Sequence, residues 1–273
     1  MAQTAQALRR NGQTIGFVPT MGALHEGHLS LVRAAQRHSD VVVVSVFVNP
    51  LQFGPHEDYR RYPRSPRRDL ALLKAAGCNI VFAPAASEIY PPGFSTLVEV
   101  SGVTKRFEGA VRPGHFRGVA SVVARLFGLV RPSVAHFGQK DYQQVLVVRR
   151  MVEDLGIGVA IRMRPTVREP DGLAMSSRNA YLSPGHRRKA PALYRALRRA
   201  SAAIRDGERD SAAIEALGRR LLVEEAGLRV DYFSAVSAED LAERGRLRGR
   251  VVVLGAIRLG RTRLIDNILV DVP

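Results

Sequence analysis

The sequence predicts an α/β protein: a parallel sheet with helices on both faces, followed by a smaller α+β domain. Three observations predict it. Short apolar runs alternate with helix-spaced segments through the first 165 residues, as strands joined by helical crossovers must. One run, Val41-Val42-Val43-Val44-Ser45-Val46-Phe47-Val48, is almost continuously β-branched, which suits a strand covered on both faces. After Pro165 the alternation stops, and two helical segments precede three strand-like ones.

Taken in order, Ile15-Gly16-Phe17-Val18 reads as the first buried strand. Leu29, Leu31, Val32, Ala34 and Ala35 mark one face of the helix after it. The valine-rich run is the second strand. Ser65-Pro66 supplies an N-cap and a first-turn proline for a helix through Leu70, Leu72, Leu73 and Ala76, closed by Gly77. Residues 79–82 form the next strand. A helix over 119–130 leads into a strand over 134–137, and a helix over 143–155 into a strand over 159–163. This is a Rossmann-like arrangement, expected over residues 1–165. The remainder, 166–273, is expected to hold an Arg-rich helix from Ser183-Pro184 to about Arg205 and a second over 211–226. Antiparallel strands would follow near 230–233, 251–257 and 264–269.

Composition narrows the class. Of 273 residues, 46% are hydrophobic and 24% charged, the balance of a soluble globular protein. No apolar run approaches a membrane span, and Met1-Ala2-Gln3-Thr4 opens no secretory pattern, so a cytoplasmic protein without membrane partners is expected. Cys78 is the single cysteine, which excludes an internal disulfide framework. The net charge of +16 could mark a nucleic-acid binder, but the arginines are dispersed, aromatics are 6%, and no RNA- or DNA-binding signature appears. The basic residues are almost all Arg, the lysines being Lys74, Lys105, Lys140 and Lys189. No nucleic-acid partner is expected.

The most telling chemistry is Pro19-Thr20-Met21-Gly22-Ala23-Leu24-His25-Glu26-Gly27-His28. It lies between the first strand and its helix, where free backbone N–H groups and the helix dipole attract anions. Gly27 keeps the backbone accessible, and both imidazoles can donate to oxygens gaining charge. Zinc is the rival reading of two histidines three apart, but no third and fourth ligand stand beside them; packing or capping histidines are another. Ligands of such sheets bind beyond the carboxyl ends of the strands, so this turn, Asn49-Pro50-Leu51-Gln52 and Gly138-Gln139-Lys140-Asp141 are expected at one crevice. Lys140 suits a triphosphate and Gly138 close backbone approach, although an ordinary capped helix would look the same. Gln144, one turn along, and the amides Asn49 and Gln52 can orient a polar substrate. Met175-Ser176-Ser177-Arg178-Asn179 offers two hydroxyls and a guanidinium that can clasp phosphate, or is a plain turn. Residues 53–68 are long for a loop and can cover a site, and 106–118, with Glu108, Arg112, Pro113 and His115, form a second such segment.

These segments together resemble one family. Residues 17–28, 47–53, Asp58-Tyr59-Arg60-Arg61-Tyr62-Pro63-Arg64, Arg112-Pro113-Gly114-His115-Phe116-Arg117-Gly118-Val119, Phe137-Gly138-Gln139-Lys140-Asp141-Tyr142-Gln143-Gln144 and Met175-Ser176-Ser177-Arg178-Asn179 resemble, in order, the pantoate–β-alanine ligases of the His-x-Gly-His nucleotidyltransferase superfamily. The resemblance covers nearly the whole chain and is weakest in the C-terminal domain. It implies condensation of (R)-pantoate with β-alanine, with ATP and Mg2+, through a pantoyl adenylate that the amine then attacks. By that resemblance Met21, Gly22, Ala23, Leu24, His25, Glu26, Gly27 and His28 form the first ATP loop. Gly138, Gln139, Lys140, Asp141, Val167, Met175, Ser176, Ser177 and Arg178 complete the ATP site. It makes His28, His25, Lys140 and Arg178 the catalytic set. Gln52, Gln144 and Asn49 hold substrate, residues 55–68 form a gate, residues 166–273 a lid domain, and the assembly is a homodimer. No residue is named as a metal ligand. Another His-x-Gly-His adenylyltransferase is the enzymatic rival, and a basic nucleic-acid binder the non-enzymatic one.

Overall fold

The computed structural model describes residues 1–55, 57–225 and 227–272. The chain divides into two compact units, Met1–Gln139 with Gln143–Pro165, and Lys140–Tyr142 with Thr166–Pro273.

The first unit is built on five strands, β1 (Ile15–Thr20), β2 (Val41–Val46), β3 (Ile80–Phe82), β4 (Val134–Gly138) and β5 (Ala160–Arg164). All pair in parallel, in the order β3-β2-β1-β4-β5. The order reverses between β1 and β4, the point at which such sheets open a ligand crevice. Its helices are α1 (Ala2–Arg10), α2 (Glu26–Gln36), α3 (Pro66–Ala75), α4 (Ala86–Ile89), α5 (Glu108–Val111), α6 (His115–Val130) and α7 (Tyr142–Asp154). Strand alternation sorts the two faces. Ile15, Phe17, Val41, Val43, Ala135 and Phe137 pack with Val119, Val123, Phe127 and Met151. Val18, Val42 and Val44 pack with Leu24, Leu31, Val32 and Leu73. Gly16 lets α2 approach β1, since a Cβ there would stand 2.6 Å from Ser39 Oγ and 3.2 Å from Ala35 Cβ.

Helix α1 is absent from the sequence expectation. It buries only Ala5, so its apolar stripe is too thin to signal a helix, although Ala, Gln and Arg favour one. Strand β2 ends at Val46 rather than Val48: Phe47 N–H still donates to Thr20 O at 3.0 Å, and the chain then turns into a 3-10 helix, Pro50–Gln52.

The second unit holds α8 (Pro184–Lys189), α9 (Ala192–Arg205) and α10 (Ser211–Val223), with β6 (Leu228–Ser237), β7 (Arg250–Leu259) and β8 (Thr262–Asp271) in an antiparallel sheet. The single helix expected to about Arg205 is two. Pro191 lacks an N–H and sits at the N-cap of α9, where it interrupts the ladder. The second expected helix ends at Val223, and its anticipated last residue, Ala226, lies outside the described residues. Leu193, Leu197, Phe233, Val253 and Ile257 centre the core. Gly218 lets α10 lie against β6, because a Cβ there would meet the Phe233 ring at 2.0 Å.

Candidate active site

The turn after β1 is held open by a residue that sequence reasoning missed. Gly22 and Ala23 take φ of 81° and 49°, a left-handed conformation unfavourable for alanine. Asp69, in the first turn of α3 and 2% exposed, meets both following amides. Its Oδ2 accepts from Ala23 N–H at 2.9 Å and its Oδ1 from Leu24 N–H at 2.8 Å. Arg68 Nη1 donates to Leu24 O at 3.2 Å. A side chain at Gly22 would come within 3.0 Å of Asp69 Oδ2. In sequence, an Asp in a helix's first turn is already explained by the dipole, which hides this role.

His25 is the N-cap of α2 and His28 its third residue. His28 Nδ1 accepts from His25 N–H at 3.3 Å, and the rings stand 4.1 Å apart at 42°. With Nδ1 an acceptor, neutral His28 carries its proton on Nε2 and can donate it to an oxygen. Both rings are half-buried. Glu26 is exposed, and its carboxylate pairs with Arg33 along α2.

Gln52 follows β2 and is 8% exposed. Its Oε1 accepts from Asn49 Nδ2 at 3.1 Å, and its Nε2 lies 3.1 Å from Met21 Sδ, which ties it to the histidine turn. Asn49, 1% exposed, also donates to Gly118 O at 3.0 Å and accepts from Tyr90 Oη at 2.7 Å and Leu51 N at 3.2 Å. Its amide makes four hydrogen bonds within the protein, one of which holds the Gln52 carboxamide. Gly118 lets α6 pack here: a Cβ would stand 2.2 Å from Leu51 O.

The two long loops meet beside Gln52. Arg112 grips Glu57 with two nitrogens, Nε–Oε1 at 2.8 Å and Nη2–Oε2 at 2.5 Å. Arg112 Nη1 lies 3.1 Å from His115 Nε2, and His115 Nδ1 donates to Gln52 O at 2.8 Å. Phe53 packs on Tyr59 and Tyr62 with centroids 5.5 and 5.8 Å apart; His56, within the expected gate, lies outside the described residues. Burial, and then the Arg112 charge, push His115 down to about 4. Its depressed value has a definite sign. Between pH 6.5 and about 4 the unfolded chain takes up a proton that folded His115 refuses, so stability is full above 6.5 and falls toward 4. The loss should be on the order of 3 kcal/mol for this group. Denaturant unfolding at about pH 7 and about pH 4.5 should show a smaller pH-dependent loss in His115→Gln than in the wild type, and equal losses would remove His115 as the cause.

Gly138 ends β4 and Gln139 follows it, next to β1 at the switch point. Gln144, in the first turn of α7, is half-buried and makes no side-chain hydrogen bond among the described residues, so its amide remains available. The other predicted residues belong to the second unit. Lys140 Nζ lies 3.6 Å from Asp141 Oδ1, and Lys140 O accepts from Asn267 Nδ2 at 3.0 Å. Val167 and Met175 face each other across a short hairpin, Met175 N–H donating to Val167 O at 3.0 Å. Ser176 caps the 3-10 helix Ser177–Tyr181, its hydroxyl accepting from Arg178 N–H at 3.3 Å. Asn179 Nδ2 anchors that helix to Glu169 and Ala174 O at 3.0 and 3.1 Å. Behind the hairpin, Arg168 grips the buried Asp266 with two nitrogens, and burial raises that carboxyl above its usual range against the pull of Arg168. No group of three or more His, Cys, Asp or Glu among the described residues is placed to hold a metal, and no helix among them is long and apolar enough to cross a membrane.

A five-stranded parallel sheet with a His-x-Gly-His turn at its switch point defines an α/β nucleotide-binding enzyme. A sequence model of the pantoate–β-alanine ligases matches residues 1–269. The chain is 52% identical over 266 residues to the pantothenate synthetase of Moorella thermoacetica, covering 97% of this chain and 94% of that protein. It is 56% identical over 256 residues to that of Acidiphilium cryptum, covering 94% and 91%. The crystal structure of the Thermus thermophilus pantothenate synthetase superimposes with a TM-score of 0.93 at 53% identity, covering 97% and 96%. A Francisella tularensis pantoate–β-alanine ligase, solved with β,γ-ATP and β-alanine, gives 0.79 at 34%, covering 98% and 95%. The chain therefore belongs to the pantoate–β-alanine ligase family, enzymes that form an amide bond.

Proposed function

We propose that this chain condenses (R)-pantoate with β-alanine to (R)-pantothenate, consuming ATP and releasing AMP and diphosphate through a pantoyl adenylate. A free carboxylate does not accept an amine at neutral pH; the pantoate carboxylate attacks the α-phosphate, and AMP becomes the leaving group. The protein's part is positioning and charge stabilisation. The observation that carries this reading is the histidine turn: Nδ1 of His28 is spent on His25 N–H, which turns its Nε2–H to the task of donating to a phosphate oxygen. His25 contacts phosphate from the N-cap, and Met21 to Gly27 supply backbone to ATP. Gly138, Gln139, Asp141, Val167, Met175, Ser176 and Ser177 contribute to ATP binding, and Lys140 and Arg178 neutralise the departing diphosphate. Gln52 and Gln144 hold pantoate, with Gln52 positioned through Asn49. Mg2+ would enter with ATP and would neutralise phosphate charge. The Glu57–Arg112 clasp supports a gate over residues 55–68 that keeps water from the acyl adenylate. A cytoplasmic homodimer, with residues 166–273 as a lid domain, completes the reading.

Diphosphate release from ATP, with and without (R)-pantoate and with β-alanine added last, tests it. Pantoate-dependent release, with AMP and pantothenate appearing only after β-alanine, is expected. Release that ignores pantoate in a folded, ATP-binding sample would discard the ligase reading. Gln144→Ala should raise the pantoate KM roughly tenfold or more, as loss of hydrogen bonds to a buried substrate does, with the ATP KM little changed. The opposite pattern would move Gln144 to the nucleotide.

A further inference from the structure

The sheet face that packs α2 carries a cationic cluster that the ligase chemistry does not use. His136 on β4 lies opposite Arg162 on β5, with Arg164 two residues on. His136 is fully buried. Its Nδ1 accepts from Arg164 Nε at 3.2 Å, and its ring lies parallel to that of His38, beyond the C-terminus of α2, with centroids 6.2 Å apart at 11°. Its Nε2 has no hydrogen-bond partner among the described residues. Arg37, the C-cap of α2, adds its positive charge to the field at the same group. The charges acting on Arg164 and on His136 are all cationic. None of Arg37, Arg162 and Arg164 pairs with a carboxylate among the described residues. The C-terminal dipole of α2 accounts for Arg37 and His38, but nothing comparable acts at Arg162 and Arg164 on a strand. Arg37, His38 and Arg162 are exposed and Arg164 half-buried, so a solute can reach them.

We propose that Arg37, Arg162 and Arg164, gathered over His136 on the α2 face of the sheet, form a second anion site for a small dianion of the phosphate class. Three guanidiniums held together repel one another, and a bound dianion reverses the sign of that energy through charge-assisted, forked hydrogen bonds. His136, neutral because burial and the neighbouring arginines push it down to about 4, holds Arg164 in place by accepting from its Nε. The site lies on a face of the sheet, whereas the histidine turn lies beyond the strand ends.

Calorimetric titration of the full chain with inorganic phosphate, at fixed ionic strength and with a non-hydrolysable ATP analogue saturating the catalytic site, tests this. Saturable binding of one phosphate per chain is expected, weakened at least tenfold by the double change Arg162→Ala and Arg164→Ala. The charge-matched control, Arg198→Ala with Arg199→Ala, should bind as the wild type does. A thermal scan supplies an independent sign. Without phosphate, Arg162→Ala, which leaves the Arg164–His136 bond intact, should melt above the wild type because repulsion is relieved, and phosphate should raise the melting temperature of the wild type more than that of the Arg162/Arg164 variant. No saturable binding, equal loss in the control, or binding only of long polyanions such as RNA would overturn the proposal. So would an Arg162→Ala variant that melts below the wild type, which would make that arginine structural.

Discussion

Replacing His28 by alanine is expected to slow diphosphate release in the first half-reaction by roughly two to three orders of magnitude, the loss that follows removal of one transition-state donor. The chain should still fold. The two ring nitrogens differ: Nδ1 caps α2 by accepting from His25 N–H, and Nε2–H is the proposed donor to the phosphate oxygen. Losing the cap costs about 1 kcal/mol, a minor part of a domain's stability, so the kinetic loss cannot be ascribed to unfolding. His28→Asn separates the two tasks further. A carboxamide oxygen can cap the helix but cannot place a donor where Nε2 stands, so stability should return and rate should not. Single-turnover diphosphate release beside a denaturation midpoint reads both. A near-normal rate in His28→Ala would remove His28 from the chemistry. His25→Ala and Lys140→Ala should show losses of the same size, and three near-normal variants would sink the proposed catalytic set.

The sheet was legible because its signals are one-dimensional. β-branched runs and helix-spaced leucines are properties of neighbours in sequence, and they locate β1, β2, β4 and β5 to within about two residues. What escaped depends on partners far along the chain. Helix α1 has too little buried surface to leave a pattern. A single helix expected to about Arg205 runs straight across Pro191, whose missing N–H splits it in two. Asn49 reads in sequence as a ligand amide, and its bonds to Tyr90, Gly118 and Gln52, which no local pattern announces, tie it to three groups near and far along the chain. The Arg112–Glu57 clasp joins residues 55 positions apart, and no local rule connects them. The histidine turn was legible because glycines and imidazoles crowd ten residues; Asp69, which holds it, is more than forty residues away.

Asp69→Asn is accordingly expected to be more damaging than a neutral, same-size change suggests. The carboxylate accepts Ala23 N–H and Leu24 N–H on separate oxygens. An asparagine keeps one acceptor and turns an NH2 group toward the other amide, donor against donor. Hydrogen bonds to a charged group contribute about 1.5–3 kcal/mol each, so unfolding free energy should fall by roughly 2–4 kcal/mol. Kinetics should suffer as well, because these two bonds hold Ala23 at φ 49°, a conformation costing about 1–2 kcal/mol for an L-residue. Released, the turn relaxes and carries His25 and His28 with it. A displacement near 1 Å can cost about a hundredfold in rate, so kcat should drop by roughly ten- to a hundredfold. A second change distinguishes positioning from stability. Ala23→Gly removes the left-handed strain and should return part of the stability to Asp69→Asn, but glycine cannot restore the missing acceptor. If stability returns and the rate stays low, Asp69 is a positioning residue for the histidine turn. If the rate returns with stability, Asp69 merely helps the unit fold, and the geometry of the turn is set by the rest of the sheet.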